Sequence, residues 1–500
     1  MNKEDYYHKK LEVLDDSDRI FDRPNLPKDP KKFHIVGICG TAMGSLAGLL
    51  REKGYEVSGS DQTCHPPIST MLDTLDVGLH TGNYEAKNIP EDTDVVVIGN
   101  VSTPTNPESK FARENKLPQV VLPEAFREYV FGDAKRIVVS GTHGKTTTTG
   151  ITISIFETAG ADPGYMVGGI PQEKERGFAL GGGEYAIFEG DEYDTSYFNK
   201  MPKFLQYGAH TGIVTSVELD HLDIYSDFED YKKAFEFFVE GLPDDGFLFV
   251  NGDEEVTRSL ADKANQNSKV RTYGLKETND VYAKNIVTDT ENGTQTFDFI
   301  FDGENLGKIE TSLSGLYNVA NITASAGVGI AHGLPFEKVA EGVKNFKGMK
   351  RRQEIKGEES GIIVMDDFAH HPTAVRKTIT GIKNKYPNKR LIVLFEPRSN
   401  SSRKKIFEQD YIESFDNADL ACLKMPFFRH NDDTDDFIDA EKVVKEINNR
   451  GTEAYFYEDI NDLLKEITPK LKSGDLVVAM SNGNFDDIHQ KLLDKLAEIK

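Results

Sequence analysis

Short apolar, β-branched runs alternate along this chain with longer stretches of helical periodicity. The first series is FHIVGI from residue 33, a helical stretch from Met43 to Lys53, then YEVSGSD and DVVVIGN. A second opens at KRIVVSG and continues through EYAIFEG and TGIVTSV. It is followed, over about residues 280 to 315, by a region that reads as antiparallel strands joined by Asn-Gly and Asp-Gly turns. A third series runs GIIVMDD, RLIVLFEP, ADLACLK and DLVVAMSNG, with a last helix near Ile488 to Ile499. Strand and helix in alternation predict an α/β fold with mainly parallel sheets, here in three domains. The expected divisions are an N-terminal extension (1–32), a Rossmann-like domain (33–131), a central P-loop ATPase-type domain (132–346) and a Rossmann-like C-terminal domain (347–500). The basic, Gly-bearing segment Lys347 to Arg352 is the expected linker and hinge into the last.

Five hundred residues exceed what one core organises, which agrees with about three domains. The chain is 38% hydrophobic and 28% charged, enough apolar material for several cores. A formal charge of -24 repels a polyphosphate over most of the surface and argues against a nucleic-acid partner, so any phosphate site must be built locally. Cys39, Cys64 and Cys422 are widely spaced, which fits a reducing compartment, the cytoplasm, rather than a disulfide framework or a zinc site. The leader is charged and Pro-containing, and nowhere do about 18 apolar residues run together, so neither export nor membrane insertion is indicated. It is expected to be a surface extension packing partly through Tyr6, Tyr7 and Phe21.

The sharpest chemical signal is VVSGTHGKTTTTG, Val138 to Gly150. A β-branched strand leads into Gly141, Thr142, His143 and Gly144, and Lys145, Thr146 and Thr147 open a helix. Small residues let backbone amides converge on phosphate oxygens, Lys145 reaches the β and γ phosphates, and Thr146 ligates magnesium. Val139 stands where the general motif has Gly, so the loop is a shortened form. Magnesium also needs carboxylates. FEGDEYD offers Glu189 and Asp191 at a strand end, and VELDHLD offers His221 and Asp223 past the next.

In the first series Gly37, Gly40 and Gly44 follow a strand, and Asp61 ends the next strand about twenty residues later. The spacing is not GxGxxG. It fits a dinucleotide, a UDP-sugar, or close helix-to-strand packing; since the central loop already serves ATP, a substrate diphosphate is the more economical choice. In the third series DDFAHHPTA and EPRSNSSRK crowd polar groups at one sheet edge. Adjacent His370 and His371 point in different directions in an extended segment, which favours a loop role over chelation by both. Arg398 and Arg403 either grip carboxylates or are solvated charges.

GICGTAMG, GSD, GTHGKTT, EGDEYD, ELDHLD, YNVANITA, KRRQE, DDFAHHPT, EPRSN and SNG, in this order from about residue 33 to the C-terminus, resemble the Mur ligases. Within that family the likeness is to the branch acting on UDP-N-acetylmuramate. Cys39 and Thr41, HPPIST, and EPRSN with SNGNFDDIH look like its peptide-adding form. The resemblance implies an ATP-dependent ligase of peptidoglycan recycling that joins the tripeptide L-alanyl-γ-D-glutamyl-meso-diaminopimelate to UDP-N-acetylmuramate through an acyl phosphate. The alternatives are an L-alanine ligase of primary synthesis and, in another class, a non-catalytic sensor of wall precursors.

Carried over by position, the resemblance makes Lys145, Glu189 and His221 catalytic and places Thr146, Glu189 and His221 on Mg2+. The nucleotide falls to Gly141 through Thr147 with Asn318, Asn321, Arg352 and Asp367. The UDP-sugar falls to Gly40, Thr41, Ser60, Asp61 and Asn100, and the peptide to Arg398, Asn400 and Ser481. Tyr317 stands where relatives usually show His. The carbamylated lysine of other branches is replaced near Phe235, in agreement with the alanine-adding and peptide-adding branches. A monomer or homodimer is expected.

Overall fold

The computed structural model describes residues 2–11, 25–66, 68–428 and 436–498. Three sheets account for its strands, apart from a small hairpin of Asp194–Ser196 with Asn199–Pro202. The first sheet is all parallel, in the order Gly78–Thr81, Glu56–Asp61, Lys32–Val36, Val95–Ile98, Gln119–Val120. Its central strands are near-continuous apolar runs because helices cover both faces. Val95, Val96, Val97 and Ile98 are all fully buried.

The second sheet has ten strands. Lys135–Ser140 lies in its middle, with Tyr185–Glu189 parallel on one side and Thr211–Val214 parallel on the other. The strand order reverses there, so the loops leaving these three strands open a crevice. At one end Val281–Asp289, Thr294–Phe301 and Glu304–Thr311 pair antiparallel through turns at Asn292-Gly293 and Asp302-Gly303, as the turn residues predict. These strands extend the central sheet by parallel pairing of Val281–Asp289 with Lys269–Gly274. The third sheet orders Glu354–Glu359, Ile362–Asp367, Leu476–Met480, Leu391–Phe395, Leu420–Lys424, Glu453–Tyr457, parallel except at its first pair.

The apolar core beneath the first sheet is continuous with that of the second. Leu46, Leu49, Phe126, Phe188 and Phe204 belong to one cluster. A Cβ on Gly48 would lie 2.6 Å from the ring of Phe178, so glycine is what lets the helix Thr41–Glu52 approach the central sheet. The third sheet has its own clusters on its two faces, and Leu222, from the loop after Thr211–Val214, packs against one of them.

The leader carries a helix, Lys3–Lys10, docked on the helix Phe228–Glu240. Tyr7 is buried, Tyr6 and Tyr7 meet Phe237 ring to ring, and Asp230 accepts from Tyr6 Oη and pairs with Lys10 at 2.8 Å. Phe21 lies outside the described residues.

One expectation is corrected. Cys39 and Cys64 are disulfide-bonded, with Cα atoms 5.3 Å apart. Twenty-five residues separate them in sequence, but Cys39 follows Lys32–Val36 and Cys64 follows Glu56–Asp61, and those strands are parallel neighbours. Parallel pairing brings the loops at their C-terminal ends together, a proximity that linear spacing hides. Cys422 is free and buried.

Candidate active site

Where the strand Lys135–Ser140 ends, the chain makes a turn that only glycine tolerates. Gly141 has φ +127° and a Cβ there would lie 2.2 Å from Thr215 Oγ1; Gly144 has φ +85° and caps the helix Lys145–Thr158, with Asn321 Oδ1 2.9 Å from where its Cβ would be. The turn is tied to the neighbouring strand's loop: Thr142 N donates to Ser216 O (2.9 Å) and His143 N to Ser216 Oγ (2.9 Å). Amides of the helix's first turn, which have no acceptor within a helix, face the crevice.

Lys145 folds back over this turn. Its ammonium donates to Gly141 O (2.5 Å) and Thr142 O (3.3 Å) and pairs with Glu192 Oε1 at 2.7 Å. Burial disfavours the ammonium, yet Glu192, Asp191 and Glu189 raise its pKa above the ordinary lysine value. Glu192 is fully buried and burial pushes its carboxyl upward, against the pull of Lys145. Its second oxygen, Oε2, has no hydrogen-bond partner and lies 3.8 Å from His221 Nε2. Thr146 Oγ1 donates to Glu189 Oε1 at 2.7 Å, and Gly168 N donates to Glu189 Oε2 at 2.7 Å. His221 has φ +53°, and its ring lies 4.4 Å from that of Tyr193. Asp191 is committed to Lys203 (2.7 Å), and Asp223 accepts from Asn400 Nδ2 (3.0 Å).

Lys145, Thr146, Glu189, Asp191, Glu192 and His221 line one cavity of 1070 Å³ between the central and third sheets. Asn318 and Asn321, from the first turns of Leu316–Ala331, lie in its wall, as does Tyr317, whose hydroxyl accepts from Gln353 Nε2 (2.5 Å). Arg352 reaches in from the linker, stacked 4.5 Å from the Phe368 ring with Nη2 3.4 Å from Thr146 Oγ1. Asp367, at the end of Ile362–Asp367, accepts from Gln353 N (2.9 Å) and Ala369 N (2.8 Å) and so fastens the linker to the third sheet. Thr142, His143, Thr147 and Asn400 also line the cavity.

Other expected residues stand apart from it. Gly40 caps the helix Thr41–Glu52, and Asp61 accepts from Cys39 N (2.9 Å), Gln62 N (2.8 Å) and Tyr84 Oη (3.3 Å), holding that loop in shape. Thr41 and Asn100 are exposed at the same sheet edge. Ser60 is buried, with its hydroxyl 3.5 Å from His34 Nε2 and its carbonyl accepting from Gly37 N and Ile38 N. Ser481 is buried with its hydroxyl on Glu396 Oε2 (2.8 Å). Arg398 stacks 4.5 Å from the Phe427 ring, 3.6 Å from Glu396. Arg403 is buried and holds Phe427 O (2.7 Å), so it is a structural tie rather than a solvated charge.

Sequence reasoning passed over Glu192 and Glu218. Both lie in the quoted acidic motifs, but nothing in a cluster of three or four acids tells which one is turned inward. Glu218 accepts from Thr373 Oγ1 at 2.6 Å, across from the third domain.

Three family models cover nearly all of this arrangement: the Mur ligase family catalytic domain matches residues 32–130, the Mur ligase middle domain 139–329, and the Mur ligase glutamate ligase domain 351–483. The chain belongs to the Mur ligase family. It is thus an ATP-dependent ligase that forms an amide bond. Among its relatives is the UDP-N-acetylmuramate–L-alanyl-γ-D-glutamyl-meso-2,6-diaminoheptanedioate ligase of Escherichia coli, 34% identical over 474 residues, spanning 93% of this chain and 98% of that one. The UDP-N-acetylmuramate–L-alanine ligase of Clostridium kluyveri is 32% identical over 465 residues, 93% of this chain and 98% of its own. The murein peptide ligase structure from Psychrobacter arcticus superposes with a TM-score of 0.67 at 30% identity, covering 94% of this chain and 99% of that one. The UDP-N-acetylmuramate–alanine ligase structure from Thermotoga maritima shares the fold, with a TM-score of 0.75 at 22% identity over 94% of this chain and 100% of the other. This Mur ligase has no helix among the described residues long and apolar enough to cross a membrane.

Proposed function

We propose that this Mur ligase joins the tripeptide L-alanyl-γ-D-glutamyl-meso-diaminopimelate to UDP-N-acetylmuramate, in the cytoplasm, during recycling of peptidoglycan. The observation that carries the reading is the convergence, in one cavity, of the phosphate loop with Lys145, the pair Thr146 and Glu189, and the linker cation Arg352. A carboxylate repels an incoming amine, so the sugar acid must first take the γ-phosphoryl of ATP and become a mixed anhydride. First-turn amides, Lys145 and Arg352 offset charge on the transferring phosphoryl oxygens, a contribution of several kcal/mol in preorganised sites. To do so Lys145 must leave the loop carbonyls of Gly141 and Thr142, which ATP phosphates replace as partners. The deprotonated amine then attacks the acyl carbon, and the tetrahedral intermediate collapses to amide and phosphate.

The donors around Lys145 fit magnesium. Thr146 Oγ1 and Glu189 Oε1 are already 2.7 Å apart, and Glu192 Oε2, buried without a hydrogen-bond donor beside His221, is an oxygen in need of a cation. Thr146, Glu189 and His221 would hold the ion, which supplies charge neutralisation on the phosphate oxygens. Asn318, Asn321 and Asp367 serve the nucleotide. Gly40, Thr41, Asp61 and Asn100 present the exposed cradle of the first sheet to the UDP-sugar, with Ser60 supporting it from beneath. Asn400 and Arg398 serve the peptide, with Ser481 fixing the loop through Glu396. A monomer or homodimer suffices, since each proposed site is built within one chain.

The deciding experiment supplies tripeptide or L-alanine with UDP-N-acetylmuramate and ATP and follows phosphate release. Faster release with tripeptide is expected; preference for L-alanine would move the enzyme to the primary pathway, and release with neither amine would leave only a sensor. Lys145→Ala is the blank, with turnover below about a tenth of wild type.

A further inference from the structure

Away from the magnesium donors, two histidines and a glutamate from three separate stretches converge where the third domain touches the phosphate loop. His143 belongs to that loop, Glu218 follows the strand Thr211–Val214, and His371 stands at the N-terminus of the helix Pro372–Lys385. One ligand atom from each lies within 4.8 Å of the other two, the one such group of histidines, cysteines or acids among the described residues. His143 Nε2 is 3.5 Å from Glu218 Oε2, and the two imidazole centroids are 4.6 Å apart.

The cluster is under-satisfied as it stands. His371 is 6% exposed, yet neither of its ring nitrogens has a well-formed hydrogen bond, the backbone of Leu219 being its one nearby polar partner, and His143 Nε2 has only the long contact to Glu218 Oε2. Buried imidazole nitrogens in folded proteins are nearly always paired. The glutamate, in contrast, is held in place: Thr373 Oγ1 donates to its carboxylate, and Thr142 Oγ1 bonds its backbone N–H and carbonyl at 2.9 and 3.0 Å. Phe407 packs edge-on to the His371 ring at 5.0 Å, and buried Asp220 adds negative charge close by. Neighbouring His370 turns away, its Nδ1 3.0 Å from Phe368 O, so the adjacent histidines do not chelate as a pair.

We propose that His143, Glu218 and His371 form a binding site for a divalent transition-metal ion of the zinc class, bridging the central and third domains. Two neutral imidazoles and one carboxylate are a donor set that suits zinc and leaves a fourth position open. With ligands about 2.0–2.1 Å from a tetrahedral ion, donor atoms stand roughly 3.3 Å apart, so the His143–Glu218 pair is nearly placed and the others need to draw in by up to about 1.5 Å, within reach of side-chain rotation. Magnesium, which takes oxygen ligands and keeps its waters, does not compete for two imidazoles. His143 and His371 both line the large cavity, so the open position is reached from it. An ion here ties the loop that opens the third domain's first helix directly to the phosphate loop, and so holds the two domains in register.

The site is tested without any substrate, so its outcome is independent of the ligase reading. Full-length protein is stripped with chelator and titrated with Co2+ in excess Mg2+, following the d–d absorption of four-coordinate cobalt and then its displacement by Zn2+. One equivalent of tightly held Co2+ is expected, lost in both His371→Asn and Glu218→Gln and kept in Glu189→Gln. Circular dichroism identifies a variant that has lost its fold, in which case the other decides. No uptake in excess Mg2+, uptake only at millimolar metal, uptake that survives both substitutions, or uptake lost in Glu189→Gln would each overturn the site.

Discussion

Three histidines are kept neutral by the fold. Burial lowers the pKa of His143, His332 and His370 to about 4, opposed by Glu218 beside His143 and Asp220 beside His370 and reinforced by Lys135 near His332. An unfolded imidazole titrates near about 6.5, so between that pH and about 4 the unfolded chain binds protons that the folded one refuses. Above about pH 6.5 these groups are neutral in both states, and as pH falls from there toward 4 the folded state is progressively destabilised relative to the unfolded one. Asp191 and Glu218, both held down to about 2, act with the same sign at lower pH: their stabilisation is present above about pH 4 and lost as pH falls toward 2. Denaturant melts from pH 7 to 4.5 should show a steady loss of unfolding free energy. His332→Gln, which can keep the bond to Thr211 Oγ1 (2.9 Å), should flatten that slope; an unchanged slope would mean that His332 is not held neutral.

One strand, one turn and one helix carry the chemistry at the scale of elements. Lys135–Ser140 is fixed in the middle of the central sheet, and the positive φ of Gly141 and Gly144 swings the chain so that the helix Lys145–Thr158 points its first turn into the crevice. This much was legible: the glycines, the lysine and the threonine run consecutively, and local geometry follows from local sequence. Gly141→Ala asks a Cβ to sit 2.2 Å from Thr215 Oγ1 and 2.8 Å from Ser216 N, at a φ that L-residues avoid. A cost of about 1–3 kcal/mol is expected from strain. Thermal denaturation should show the loss and calorimetry should show ATP binding weakened at least about tenfold, since every 1.4 kcal/mol is a factor of ten. Wild-type affinity in this variant would show that the turn does not shape the phosphate site. The antiparallel end of the central sheet was equally readable from its Asn-Gly and Asp-Gly turns. The pairing of Cys39 with Cys64 was not, because sheet order, not chain separation, put them side by side.

Across the whole molecule the third domain is docked on the central one mostly by polar contacts, among them Lys385 Nζ to Ser312 O (2.9 Å) and Lys377 to Glu254 (3.4 Å), with Leu222 an apolar residue that packs across. Glu218 receives Thr373 Oγ1, Asp223 receives Asn400 Nδ2, and His221 N donates to Ser401 Oγ (3.1 Å). The linker carries Arg351, Arg352 and Gln353, with Arg351 and Gln353 at positive φ, a conformation suited to a turn point. An interface made mostly of polar contacts is expected to open in solution and close on substrates. Small-angle scattering should give a smaller radius of gyration with ATP analogue and UDP-N-acetylmuramate than without; equal radii would count against closure. The cradle proposed at Gly40 and Asn100 does not share the cavity with Lys145, so on that proposal the sugar nucleotide extends from one to the other for its carboxylate to meet the phosphoryl donor.

By itself the sequence determined the alternation of strand and helix, the phosphate turn and the order of the family's motifs, because each depends on residues close together in the chain. Only the tertiary structure decided which acid of EGDEYD faces Lys145, that Ser481 and Arg403 brace loops, and that His143, Glu218 and His371 meet. Those outcomes depend on burial and on which loops a sheet's strand order makes neighbours, and neither is written in the spacing along the chain.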